Sequence, residues 1–440
     1  MRTSAIPLRS ASGDARPARG GTSAVIHPSE LITAASKGPK RSRQMDDLGL
    51  IKDGAVAFAA GRILAVGPTK RILKEFKPRT TIDARGKTVL PGFVDAHTHL
   101  VFAGSRHEEY ASRIAGTTYA QAHQSGGIRY TVKLTRAASD KDLTAKALRD
   151  LDTMLLHGTT TLEAKSGYGL DLRHELRLLK LINRLKDLHP MGIVTTFLGA
   201  HSVPKEYLDD KHGYLKLVKK MLPQAAKLAT FCDAWCDPLG FDAVSLNEIL
   251  SEAKRLGMDI KLHAEQSGNC QGAELAAANK AISADHLDHI SNHGIDAMQR
   301  AGTIAVLLPG VNFHQMAFNS VPPVDKLLHA GIPIAIASDY NPGSSPTPSM
   351  QMILALACRL FKMTYAQAIN AATINAAWAL DLGRSVGSLE PGKAAGPRQQ
   401  QPPTQGPHGH DQGQARPLPR KPPWQARRLL RPLGHRGRPA

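Results

Sequence analysis

No run of eighteen apolar residues occurs anywhere in these 440 residues, so nothing in the sequence reads as a membrane-spanning helix. Cysteine is scarce as well. Only Cys232, Cys236, Cys270 and Cys358 are present, none in a C-x-x-C pair, which argues for reduced structural thiols rather than a disulfide framework. No G-x-G-x-x-G follows the first strong strand, which removes the main support for a dinucleotide-binding open sheet. The first twenty-odd residues are basic and rich in Ser and Ala but contain no continuous apolar stretch; a secretory signal is therefore not expected, and a transit-like peptide stays open. With 42% hydrophobic residues, the chain can bury one large core and a smaller one, and a soluble cytoplasmic protein is expected.

A formal net charge of +19, from 56 basic and 37 acidic residues, would ordinarily point to nucleic acid. Its distribution argues otherwise. Residues 394–440 hold nine Lys or Arg against a single acid, Asp411, and so carry eight of the excess charges. That stretch is dense in Pro, Gln, Gly and Arg, shows neither helical nor strand periodicity, and reads as a disordered tail. Residues 1–22 read as a shorter disordered basic extension. Neither carries an RNA or DNA motif, so no nucleic-acid partner and no membrane partner is expected.

Between those ends the pattern changes once. From 23 to 88 the runs AVIHPSELITA, GAVAFAAGRILAVG and TTIDARGKTVL are short, Gly-punctuated and β-rich, as the strands of a small sheet or sandwich are. Val89–Val94 then reads as a buried strand, because the run is short, begins with a β-branched residue and carries Pro-Gly. Seven more candidates follow: GTTTLEAK, GIVTTFLGAH, TFCDAWC, DIKLHAE, AISADHL, TIAVLLP and PIAIASD. Amphipathic stretches such as Leu172–Leu188, Tyr214–Lys227 and Ser245–Leu256 separate them. This βα alternation predicts an α/β fold, a (β/α)8 TIM-like barrel over 89–380, with 381–393 returning toward the small domain. A doubly wound open sheet is the rival.

In a strand, side chains i and i+2 leave on one face, so His97 and His99 of DAHTHL point together from the end of the first barrel strand, with Asp95 on the same face. His201, His263, His286 and Asp339 lie at or near the ends of later strands, where a barrel of this kind carries its chemistry. Any one of these alone reads more simply as a hydrogen-bonded core or surface histidine. Together, several imidazoles and a carboxylate around an open position are what zinc or iron requires to acidify a water. His107, His123, His157, His174, His189 and His293 fall in loops or helices and are left out of the site.

The segments DAHTHLVFAGSR, EAKSGYGL, FLGAHSVP, KLHAEQ, SADHL and SDYNPGSSP resemble the amidohydrolase superfamily and, within it, the imidazolonepropionase family of histidine degradation, over roughly 23–393. That resemblance implies one Zn2+ or Fe3+ per chain on His97, His99, His263 and Asp339, and a small-molecule substrate, 4-imidazolone-5-propanoate, held by Arg106, Tyr168, His201, Asn341, Gly343 and Ser344. It further implies that Asp339 or a nearby base takes the proton of the attacking water while His286 stabilises the oxyanion. Arg106 suits a substrate carboxylate, and backbone N–H groups of the Gly-Ser turn after Pro342 are expected to receive anionic oxygens or the ring. TFCDAWC contains no Lys, where binuclear relatives use a carboxylated one, so a single metal is expected.

Two departures from the family pattern stand out. Many relatives carry Glu where this chain has Gln266, which cannot act as a base and is assigned a substrate hydrogen bond; Glu265 is expected to face away. After Lys393 the sequence abandons the apolar closing strands of relatives for the Pro/Gln/Arg tail, an abruptness that resembles a change of reading frame and predicts a small domain without its closing strands. Another mononuclear amidohydrolase, a cyclic amidase or nucleobase deaminase, is the alternative, as is an inactive product with a non-native tail. A homodimer is left open.

Overall fold

The computed structural model describes residues 21–117, 121 and 126–396. His123, the basic extension up to residue 20 and the tail from 397 lie outside the described residues. Two small sheets precede the barrel. One is four-stranded in the order β5-β4-β1-β6 and the other three-stranded in the order β3-β2-β7, from β1 (Ser23–Ile26), β2 (Glu30–Ile32), β3 (Leu50–Lys52), β4 (Gly54–Ala59), β5 (Arg62–Pro68), β6 (Thr80–Asp83) and β7 (Thr88–Val89). Each of the three runs expected as strands is thus a pair of strands. AVIHPSELITA breaks at His27-Pro28, where His27 adopts φ 57 and Pro28 has no N–H for the ladder. GAVAFAAGRILAVG folds back at Ala60-Gly61, with φ 50 and 74, the left-handed pair that a two-residue hairpin requires. Residues after the barrel return to these sheets: Ile63 N donates to Lys393 O at 2.9 Å, and Ala394 bridges Arg62.

Eight parallel strands follow in sequence order: β8 (Phe93–Asp95), β9 (Thr159–Lys165), β10 (Gly192–Ala200), β11 (Phe231–Cys236), β12 (Asp259–Ala264), β13 (Ser283–His286), β14 (Ile304–Leu307) and β15 (Ile334–Ile336). The first differs from the expected Val89–Val94. Val89 belongs to β7, where it pairs with Leu31 of the small sheet, and β8 begins only at Phe93. Pro91 cannot donate to a ladder, and Gly92 passes so close to β9 that a Cβ there would lie 2.3 Å from Thr160 Oγ1. The helix Leu172–Leu188 has its expected bounds, whereas Lys211–Ala225 and Ala243–Arg255 begin earlier than their apolar periodicity. Asp210 and Asp242 cap them, accepting from Gly213 N and Ser245 N, and a cap precedes the first apolar residue. Among the described residues no helix is long and apolar enough to cross a membrane.

The barrel closes at its seam without a ladder between β15 and β8. Asp95 instead accepts from Ser338 N at 2.9 Å and Ser338 Oγ at 2.5 Å, Asp339 N donates to His97 O at 3.0 Å, and His99 N donates to Tyr340 O at 2.9 Å. On the other flank Lys165 N donates to Thr98 O at 2.9 Å and Thr98 Oγ1 to Glu163 O at 2.6 Å. Val94 and Ala96 pack on Val306, Ala335, the helical Ala376 and Leu380 of the turn that follows, so the alternating set Asp95, His97 and His99 faces the opposite way.

A buried amide ties the N-terminal segment to the barrel. Asn375 Nδ2 donates to Lys40 O and Ile334 O, both at 2.9 Å, and Asn375 Oδ1 accepts from Lys40 N at 2.7 Å. Alanine there strands three buried backbone groups. Asn375→Ala is therefore expected to lower stability by about 2 to 4 kcal/mol, read as a lower urea midpoint at unchanged slope; a midpoint equal to wild type would show that water satisfies those groups.

Candidate active site and metal centre

At the carboxyl ends of the strands four donor atoms converge. His97 Nε2 lies 3.0 Å from His263 Nε2 and 3.5 Å from Asp339 Oδ1, while His99 Nε2 lies 3.4 Å from His263 Nε2 and 3.3 Å from Asp339 Oδ1. Donors at about 2.1 Å from a tetrahedral ion are about 3.4 Å apart, so these spacings fit one small cation. The state of the atoms fits as well. Burial, reinforced by Lys165 and the neighbouring imidazoles, holds His97 and His99 well below the usual histidine range, leaving neutral rings, as coordination needs. Buried Asp339 Oδ1 accepts no hydrogen bond from the protein. Two imidazole nitrogens facing each other at 3.0 Å need a proton or a cation between them.

Supporting groups aim these donors. His97 Nδ1 donates to Asp285 Oδ2 at 2.6 Å, and His263 Nδ1 lies 2.9 Å from Asp233 Oδ2. Ser344 Oγ donates to Asp339 Oδ2 at 2.9 Å, leaving Oδ1 for the cluster. His286 stands at the edge, its ring 5.4 Å from that of His263 and 5.7 Å from that of His97, with Nδ1 unbonded. Burial and the nearby His263 push it down to about 3, so it is a neutral imidazole at ordinary pH.

A cavity opens over the cluster, lined by His99, Arg106, Ile128, Tyr168, His201, Trp235, His263, Gln266, His286, Asp339, Asn341 and Ser344. Most of the residues expected at the site therefore meet here; His97 lies beneath and Gly343 to one side. None of the described histidines left out of the site lines this cavity, and neither does Glu265, whose carboxylate accepts from Asn269 Nδ2 and Gly272 N. Tyr168 rides on a loop gathered around buried Glu175, which accepts from Gly167 N at 3.1 Å, Gly169 N at 2.7 Å and Leu170 N at 2.9 Å. His201 Nδ1 donates to Gly167 O at 2.9 Å, and its ring stacks on His99 at 4.8 Å.

The expectation of an anion-binding Gly-Ser turn is overturned. Gly343 N and Ser344 N each donate to Asn341 Oδ1 at 2.8 Å, and Asn341 Nδ2 donates to Asp339 O and Ser344 Oγ, so the loop uses these groups to fix its own shape. Gly343 matters for a different reason: a Cβ on it would lie 1.9 Å from Arg106 Nη1, and glycine lets the guanidinium cross the loop. Arg106 is itself held by Glu109, through Nε at 2.8 Å and Nη2 at 2.6 Å. Arg113 pairs with the same glutamate and donates to Gly343 O, tying the helix His107–Ile114 to the loop.

Sequence reasoning missed Glu109, Glu175, Trp235 and the buried set Glu163, Lys165, Asp233 and Asp285. Charges inside otherwise apolar strands were the signal for that set, since such side chains are buried only when paired. Four residues at these strand ends, Glu265, His286, Leu287 and Asp339, have φ of 59, 76, 65 and 49, a backbone region costly for side chains with a Cβ.

Residues 88–396 match the profile of the amidohydrolase family. An imidazolonepropionase of Geobacillus kaustophilus is 46% identical over 376 residues, covering 83% of this chain and 88% of that one. Another, from Treponema denticola, is 48% identical over 350 residues, covering 77% and 84%. Among solved structures a triazine hydrolase variant superposes with a TM-score of 0.67 at 16% identity, covering 85% of this chain and 86% of that one, a likeness of fold. The profile match and the extent of these identities place the chain in the amidohydrolase family, among the imidazolonepropionases.

Proposed function

We propose that the chain hydrolyses 4-imidazolone-5-propanoate to N-formimidoyl-L-glutamate: one water adds to the ring carbonyl, the ring C–N bond breaks, and the nitrogen leaves with a proton. The observation that carries this reading is the four-donor cluster set beneath a cavity walled by Arg106, in a chain so extensively identical to imidazolonepropionases. His97, His99, His263 and Asp339 would hold one ion, zinc or iron by the nature of three imidazoles and a carboxylate. When bound, the ion supplies Lewis acidity and a more acidic water.

The remaining work falls to the protein's own groups. Asp339, steadied through Oδ2 by Ser344, takes the proton of the attacking water and returns it to the ring nitrogen. Neutral His286 donates an N–H to the oxygen that becomes negative. Arg106, fixed across Gly343 by Glu109, receives the propanoate carboxylate, and Tyr168, His201, Gln266 and Asn341 surround the ring. Trp235 and Ile128 exclude water from the cavity wall.

Loss of ultraviolet absorbance of imidazolonepropionate on the purified protein tests the reaction; turnover of amino-purines or pyrimidines instead would favour a deaminase. About one zinc or iron per chain is expected by elemental analysis. His263→Ala is expected to lose metal and activity together, whereas His286→Ala keeps the metal and loses roughly 10² to 10⁴ in kcat. Equal metal loss in both would make His286 a ligand. Arg106→Ala is expected to keep the metal and raise KM about 30- to 150-fold, the equivalent of about 2 to 3 kcal/mol for a lost charged contact; an unchanged KM would move the carboxylate elsewhere.

A further inference from the structure

Below the four donors lies a buried ionic cluster that the proposed reaction does not use. Lys165 Nζ is 2.6 Å from Asp233 Oδ2, 2.8 Å from Glu163 Oε2 and 3.8 Å from Asp285 Oδ2, and all four side chains are fully buried. The same two aspartate oxygens reach histidines of the cluster, Asp285 Oδ2 at His97 Nδ1 and Asp233 Oδ2 at His263 Nδ1. One ammonium therefore stands behind both orienting carboxylates. Lys261 comes near only one of them, 3.7 Å from Asp285 Oδ2, and donates to Ser283 Oγ at 2.7 Å. Glu163 is anchored on its far side by Thr196 Oγ1 at 2.5 Å, so Lys165 is drawn to a fixed point.

Buried ions of this kind contribute little to stability compared with apolar residues of similar volume. Their use is geometric. Asp233, Asp285 and Glu163 repel one another, and the ammonium among them sets where the carboxylates rest. Asp285 then sets the rotation of His97 through its hydrogen bond, and Asp233 seats His263 by lying 2.9 Å from its Nδ1 and accepting its backbone N–H at 3.1 Å. The 3.0 Å approach of His97 Nε2 to His263 Nε2 depends on both at once. Lys165 also acts through its backbone, since its N–H donates to Thr98 O between the two histidines of the first strand.

We propose that Lys165 is a positioning residue for the metal centre, its ammonium clamping Asp233 and Asp285 so that His263 and His97 present Nε2 to one common point. The proposal rests on the reading of His97, His99, His263 and Asp339 as metal ligands. Lys165→Met keeps the bulk and removes the charge. Zn2+ affinity, measured on the full chain by chelator competition, is expected to fall about 10- to 100-fold, the usual effect of losing support behind a ligand. The ligand-field bands of the Co2+-loaded variant are expected to shift, and with the metal saturated kcat should fall while KM stays near wild type. Wild-type Zn2+ affinity together with an unchanged Co2+ spectrum would overturn the clamp. If Lys165→Met does not fold, Lys165→Met combined with Glu163→Gln, which keeps the net charge of the cluster, is measured instead. Weakened Zn2+ binding is again expected, and wild-type affinity would show that charge balance alone matters. Failure of the underlying reading looks different: the wild-type chain would bind no metal, or His263→Ala would retain it.

Discussion

Electron-rich atoms do not gather at 3.0 to 3.5 Å without a proton or a cation to share, and His97, His99, His263 and Asp339 are gathered in that way. The rest of the molecule follows from holding them there. Three of the four sit on the two segments that meet at the barrel seam, where the backbone of Asp339 and Tyr340 bonds that of His97 and His99. Closing the barrel therefore also brings three of the four donors together. An ion bound across that seam would join the first and last strands, which otherwise meet through the Asp95–Ser338 pair and a few backbone bonds.

The architecture was legible because strand ends in a barrel announce themselves twice, by an apolar run and by the polar residue that stops it. DAHTH, KLHAE and PIAIASD carry both signs, but strand ends alone also offer His201 and His286, and only the family resemblance separates the expected ligands from these two. The supporting charges were harder to see. Glu163 with Lys165, and Lys261 with His263, are i, i+2 pairs on strands, so each shares a face with the site, but nothing in a strand's sequence says which charge on another strand it will meet. The misreading of Val89–Val94 has a similar origin, since one apolar run serves two sheets and only the Pro-Gly between them marks the change.

Two loops owe their shape to a single buried acceptor each. Glu175 collects three backbone N–H groups and so fixes Tyr168, and Asn341 collects two and so fixes Ser344 against Asp339. The N-P-G-S-S sequence looks like an anion nest because its N–H groups do converge. They converge on Asn341 Oδ1, an acceptor two and three residues away, which a pattern read in sequence does not separate from a ligand.

The left-handed backbone at Glu265, His286, Leu287 and Asp339 stores strain at the mouth of the barrel. Each such residue costs on the order of 1 kcal/mol or more that Gly, and in part Asn, would avoid. The surrounding packing outweighs that relief: Leu287 is fully buried in the main core, where loss of its side chain costs about 2 to 5 kcal/mol. Glycine at these strand ends would therefore loosen the barrel mouth rather than relax it.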